Sequence, residues 1–312
     1  MDVTGDTMKI FDCFTFFNEI DLLKFRIELL YPAVDYFVIV ECSKTQTGND
    51  KPYNFLEHEK EFSKWKDKIK YFKADTPPSL DEANGENWAI ENYQRNYILT
   101  GLVTLNPQND DIILISDLDE IVNPSVISHF DDYNVAVVNE GLNLKAKIKK
   151  SISFLMNHKK LTFNSSLLSV LEFSPVVLRQ DFFYYYMNCR CNTKWNGSVM
   201  FFFKNIQLPQ KLRNMRNELP NVMGRGGWHF SYLGGPEKII TKIRNLVEGH
   251  LLKIPEGYTI EEYISYCINN AIDIYHAKGN KYSYINPNEI GLPEIEYFIK
   301  QYPLFFNTER TN

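Results

Sequence analysis

Sulfur chemistry is thin in this sequence. Five cysteines stand at positions 13, 42, 189, 191 and 267, and no two form a Cys-x-x-Cys pair. That spacing gives no zinc site, and the odd count suggests free thiols in a reducing compartment. Cys189 and Cys191, one residue apart on an expected strand, would face opposite ways. Excess positive charge is missing too. The formal net charge is −5, which argues against a nucleic-acid partner, because phosphate backbones call for a basic face. No apolar run approaches the roughly 18–20 residues that a membrane-spanning helix needs. The segment from Met1 to Met8 is polar and acidic, unlike a secretory leader. These absences lead us to expect a cytoplasmic protein. Internal repeats are absent as well.

What is present suits an ordinary globular α/β protein. The 312 residues can bury a sizeable core, and 44% hydrophobic against 23% charged residues excludes a disordered or fibrous chain. The 22 Phe and 19 Tyr read first as an aromatic-rich core and second as a sugar-lining groove.

Residues 8–17 read as a first strand, and Ile20, Leu23, Ile27 and Leu30 follow at helical spacing. The run YFVIV at 36–40 is a strand buried on both faces, ending in Glu41. A charged helix is expected over 57–68, a third strand over 69–72, a helix over 88–102 and another buried strand over 111–116. This alternation predicts an open, mostly parallel mixed sheet flanked by helices, with ligands at the carboxyl ends of its strands. Strands are expected at 182–188 and 198–203, and helices from Pro236 to about Gly249 and over 259–275. The tail after Pro287 looks irregular. Lys145, Lys147, Lys149, Lys150, Lys159 and Lys160 mark the stretch 142–160 either as a basic amphipathic helix for peripheral membrane contact or as a solvated helix of the domain.

Three constellations carry chemistry. Asp117-Leu118-Asp119-Glu120 directly follows a buried strand, where two carboxylates at i and i+2 can converge on a hard cation such as Mn²⁺ or Mg²⁺. Such an ion would neutralise a departing diphosphate; the plainer reading is an acidic strand-to-turn junction. Trp88, Glu91, Gln94, Arg95 and Asn96 share one short helix, where Glu91 and Arg95 can pair at i, i+4 or Arg95 can meet a ligand. In GWHFSYLGGPE, at 227–237, Glu237 at a helix start is either a base for an acceptor hydroxyl or a capping residue. His229 there is either a cleft residue or a half-buried, hydrogen-bonded one.

In order along the chain, DCFTFFNEIDLLKFRIELL (12–30), VDYFVIVECSKTQTG (34–48), WAIENYQRN (88–96), DDIILISDLDEI (110–121), FYYYMNCRCNTKWNG (183–197) and GWHFSYLGGPEKIITKI (227–243) resemble glycosyltransferase family 17. That family includes an animal enzyme adding the bisecting N-acetylglucosamine to N-glycans. The resemblance implies a GT-A fold over residues 8–250, a divalent metal, a nucleotide-sugar donor such as UDP-GlcNAc, a glycan acceptor and inversion at the anomeric carbon. It matches Asp117 and Asp119 to the family's metal motif, and Glu41, Gln94, Arg95, Asn96, Trp228 and His229 to motif positions near the donor. On this footing His229 is the expected third metal ligand, with His250 as alternative, and Glu237 the expected base, with Asp181 second. The stretch between Glu120 and Phe183 is longer than the family pattern, so residues 131–180 are expected to be a variable, partly basic insertion affecting acceptor choice. Residues 251–312 are expected to form a helical extension packed on the catalytic domain. Membrane-anchored members work in the Golgi, whereas the lack of an anchor here implies a microbial or viral member. The rival readings are a sugar-binding or inactive scaffold and a sugar-nucleotide pyrophosphorylase, whose glycine-rich basic motif the first strand lacks.

Overall fold

The computed structural model describes residues 8–80, 88–136, 164–222 and 224–310. The lysine-rich stretch at 142–160 lies outside them. Four strands form a parallel unit: β1 (Ile10–Phe16), β2 (Tyr36–Cys42), β3 (Ile69–Ala74) and β4 (Ile112–Asp117), in spatial order β3-β2-β1-β4. Their side chains alternate between two buried faces. Phe14, Phe16, Phe37, Ile39, Ile112 and Leu114 pack toward α1 (Ile20–Leu30). Phe11, Cys13, Val38, Val40, Ile113 and Ile115 pack toward α3 (Ala89–Thr104), whose contacts are Ile98 and Leu102. Burial on both sides accounts for the uninterrupted apolar runs in β2 and β4.

Beyond β4 the pairing changes: the sheet is mixed, as expected, but less of it is parallel than the sequence suggests. β4 pairs antiparallel with β9 (Cys189–Phe202), and β9 antiparallel with β8 (Val176–Tyr184). The short strands β6 (Asn134–Ala136), β7 (Asn164–Ser166) and β10 (Asn221–Val222) finish that edge. The sheet is therefore mixed: hairpin connections replace helical crossovers once β8 and β9 follow one another directly. The charged helix expected over 57–68 is instead the short α2 (Asn54–Glu57) and a 3₁₀ segment, Glu59–Trp65. Its two buried residues, Phe62 and Trp65, are three apart, which a three-residue turn stacks on one side. Cys189 and Cys191 are both buried, and all five cysteines are free.

The C-terminal segment joins the core. β12 (Tyr282–Tyr284) adds to β9, and the side chain of Asn188 is bonded to the backbone of Ile285 and Asn307. The tail taken as irregular contains α9 (Ile295–Gln301), which sets Phe298 against Phe25 with ring centroids 4.8 Å apart. Glu28 of α1 fastens it, accepting from Tyr297 Oη at 2.8 Å and Tyr302 Oη at 2.9 Å, with Lys64 at 3.2 Å. Burial opposes the charge of Glu28, but those hydroxyls and the ammonium outweigh it and hold the carboxyl below its usual range. A depressed folded-state value contributes stability above the unfolded one, and the contribution is lost as pH falls through both. Hydrogen exchange of α9, taken relative to the intrinsic amide rate at each pH, should therefore be slow and steady at neutral pH and rise below about pH 4. In Glu28→Gln it should be faster at pH 7 and lack that acid step; unchanged exchange in the variant would reject the latch.

Candidate active site

A cleft of about 280 Å³ opens at the carboxyl ends of β1 and β4. Asp117 is the last residue of β4, and the chain turns at once into β5 (Glu120–Val122). β5 pairs antiparallel with β11 (Gly227–Ser231), setting His229 beside Glu120. The Phe230 amide donates to the Asp119 carbonyl at 2.9 Å. This approach needs glycine at 227. The residue has φ 151°, and a Cβ there would lie 2.1 Å from the Ile121 carbonyl oxygen.

The turn is held from beneath by a buried ion pair. Arg26 Nη2 lies 2.6 Å from Asp12 Oδ1, and neither side chain is exposed. The same guanidinium donates to the carbonyls of Asp117 and Leu118 at 2.9 Å, to that of Glu120 at 3.1 Å, and to Ser116 Oγ at 2.6 Å. Glu120, also buried, accepts from the Asp117 amide at 3.1 Å and from Trp195 Nε1 at 2.7 Å. The turn carbonyls and the Glu120 carboxylate are thereby satisfied without water.

The two aspartates differ in their surroundings. Asp117 is clamped on both oxygens, by Arg95 at 2.7 Å and by Arg213 of α6 (Pro209–Met215) at 2.7 Å. Burial would raise its pKa, but the two guanidinium charges overcome this and hold it well below the carboxylate range. Asp119 divides its oxygens. Oδ2 receives Lys242 Nζ at 3.0 Å, and Oδ1 lies 3.6 Å from His229 Nε2. Burial again opposes ionisation, and Lys242 and His229 overcome it. Lys242 belongs to α7 (Gly235–Asn245) and also reaches Glu19 at 3.3 Å. The two carboxylates hold its ammonium charged against the opposing cost of burial. His229 stacks on Phe182 (4.9 Å, 10°) and lies 4.6 Å from Trp195. Its Nδ1 is buried without a partner, which leaves Nε2 as the nitrogen turned to the cleft.

Of the residues expected at the site, Asp117, Asp119, His229, Gln94 and Arg95 line this cleft. Gln94 lines it while tying strands together: Nε2 donates to the carbonyls of Phe16 and Val40 at 3.0 and 2.9 Å. Four others are engaged elsewhere and do not line it. Glu41 is buried against Lys51 at 2.5 Å and caps α2 through the Asn54 and Phe55 amides. Asn96 accepts from the Gln210 amide. Trp228 is fully buried, with Nε1 donating to the Ile290 carbonyl at 2.9 Å. Asp181 is paired with Lys194 and with Arg225 at 3.0 Å. His250 is exposed and bonded to the Val247 carbonyl. Glu237 borders a neighbouring cavity instead. Sequence reasoning missed Glu19, Arg213 and Lys242. The basic pair Arg213 and Arg216, at i, i+3 just after Pro209, was the available signal for Arg213.

Among the described residues, no three His, Cys, Asp or Glu side chains converge as a metal cluster. What the cleft offers is a pair, Asp119 Oδ1 and His229 Nε2, in a wall that also carries Lys44, Lys51, Arg95, Arg213 and Lys242. The same wall carries Glu19, Glu91, Asp117, Asp119, Glu120 and Glu248, so these cations stand among carboxylates, several of them paired directly.

Comparison with known families gives the class of this protein. The family model described as Glycosyltransferase family 17 matches residues 2–162, slightly more than half of the chain. The protein belongs to glycosyltransferase family 17, and a sugar donor and an acceptor are its substrates. No curated protein matches the chain. Among the described residues, no helix is long and apolar enough to cross a membrane.

Proposed function

We propose that this glycosyltransferase has the GT-A architecture and transfers a sugar, with inversion, from a nucleotide-sugar donor to a glycan hydroxyl, using Mn²⁺ or Mg²⁺. UDP-GlcNAc is our choice of donor, on the family resemblance. The carrying observation is the arrangement of Asp119, with one oxygen on Lys242 and the other 3.6 Å from His229 Nε2. A small hard cation is commonly held by one or two protein ligands and completed by substrate phosphate oxygens and water, so this pair fits such an ion. Asp119 and His229 would hold it. Asp117, whose charge is already balanced by two arginines, would steady the turn and the guanidinium groups. When bound, the ion supplies Lewis-acid stabilisation of the departing diphosphate.

The chain's own groups do the rest. Arg213, partly exposed in the cleft, and Lys242 supply positive charge for the diphosphate. Lys44 and Lys51 border the same cleft, paired with Asp50 and Glu41, and Trp88, more than a third exposed, offers a flat apolar face. The test is release of UDP from a panel of UDP-sugars with oligosaccharide acceptors, with and without Mn²⁺. Turnover that Mn²⁺ stimulates and EDTA abolishes supports the reading; turnover unaffected by EDTA removes the metal from it. No release from any donor, despite a folded protein, would favour a sugar-binding role instead.

A further inference from the structure

A second cavity, of about 230 Å³, lies against the donor cleft. Its walls are mostly apolar: Leu22, Phe230, Leu233, Ile239 and Phe305, with Glu237 at the edge. Among the described residues, three line both spaces, Glu19, Tyr232 and Lys242. They form a partition between the region of the aspartates and a compartment with apolar faces, the kind of wall on which the C–H face of a sugar ring packs.

We propose that this second cavity receives the acceptor as a single pyranose-sized unit, and that Glu19 is the base for its attacking hydroxyl. The proposal rests on the donor reading above. In a direct displacement the acceptor oxygen must stand within bonding reach of the donor's anomeric carbon while its proton leaves. The base must therefore border both compartments. Lys242 is held as a charged ammonium by Asp119 and Glu19 at 3.0 and 3.3 Å, and has no lone pair to accept a proton. Tyr232 is a buried phenol whose hydroxyl lies 3.1 Å from that of Tyr275. Glu19 alone of the three is a carboxylate. Glu237 touches the second cavity only, and Asp181 is paired with Lys194 and Arg225.

The position of Glu19 is well fixed. It directly precedes α1; Oε1 faces Lys242, and Oε2 accepts from the Asn18 amide at 3.3 Å. One ammonium thus spaces the proposed base from the carboxylate at the diphosphate end. In the reaction, the acceptor oxygen bonds to the anomeric carbon as that carbon's bond to the diphosphate oxygen breaks. The electron pair of the broken bond leaves with the nucleoside diphosphate, and the acceptor's proton passes to Glu19.

The test compares full-length wild type with Glu19→Gln, Glu19→Asp, Glu237→Gln and Leu233→Trp. UDP release from the best UDP-sugar and acceptor of the panel gives kcat and KM; calorimetry with UDP and Mn²⁺ reports the donor side. Glu19→Gln should lower kcat by about 10²–10⁴-fold, leave UDP affinity unchanged and remove the acidic limb of the pH–rate profile. Glu19→Asp, which keeps a carboxylate, should recover part of the rate. Leu233→Trp should raise the acceptor KM at least about tenfold with UDP binding intact, since each tenfold is 1.4 kcal/mol of lost affinity. Near-normal kcat in Glu19→Gln, or the large loss appearing in Glu237→Gln instead, would overturn the assignment. So would a Glu19→Gln rate loss matched by an equal loss of UDP binding, which would make Glu19 a donor-site residue. Absence of turnover in wild type with every donor would instead defeat the underlying transferase reading.

Discussion

Arg26→Met is expected to destabilise the protein by about 3–5 kcal/mol, because it strands a buried carboxylate. Asp12, with no exposed surface, would lose its partner, and the carbonyls of Asp117, Leu118 and Glu120 would lose their common donor. Methionine roughly keeps the aliphatic volume, so the loss reports charge and hydrogen bonding more than a cavity. Urea denaturation monitored by circular dichroism measures it. Replacing both partners, as Asp12→Leu with Arg26→Met, should recover part of the loss, since an apolar pair needs no compensation. A single variant within about 1 kcal/mol of wild type would show that the turn does not depend on this guanidinium, because removing one partner of a buried ion pair ordinarily costs more.

Asp119→Ala should cut UDP release by about 10²–10³-fold or more, the scale seen when a preorganised charge-stabilising group is removed. It should also abolish the Mn²⁺-dependent part of UDP binding. The fold should survive, for two reasons. The bond that joins the turn to β11 uses the Asp119 backbone carbonyl, not its side chain, and Lys242 keeps Glu19 as a counter-ion. Calorimetry with UDP and Mn²⁺, beside a thermal melt, separates loss of binding from loss of structure. A variant that binds both as wild type does would move the cation away from Asp119.

Much of the parallel half was readable from sequence. In β2 and β4 both faces are buried, so the apolar runs carry the strand signal directly, and a D-x-D at the end of one of them marks the cleft. The antiparallel half was harder. The middle of β9, with Asn192, Thr193, Lys194, Trp195, Asn196 and Gly197 in succession, shows no clean alternation, and its register with β8 shifts between Val177 and Arg179 and between Asp181 and Phe183. The same limit hid half of the site. Lys242 and Arg213 look like ordinary solvated positions on helices, and only tertiary packing turns them onto Asp119 and Asp117. Glu19 precedes a helix whose apolar spacing was clear, but nothing local says that it divides two cavities. Motif membership does not by itself place a residue in the cleft. Glu41, Asn96 and Trp228 sit in family-like segments, yet their hydrogen bonds hold α2, α6 and the Ile290 loop in place.

Phe305, near the far end of the described chain, walls the second cavity opposite residues that follow the first strand. Its backbone carbonyl also accepts from the Met187 amide at 2.8 Å, in the turn between β8 and β9, while its own amide donates to the Tyr302 carbonyl at 2.9 Å. The size of one chamber is thus adjustable from a site that the nucleotide side never meets. On the acceptor assignment proposed above, redesign of what this enzyme decorates could begin with the bulk of a single ring at the tail, leaving Asp117, Asp119 and His229 alone.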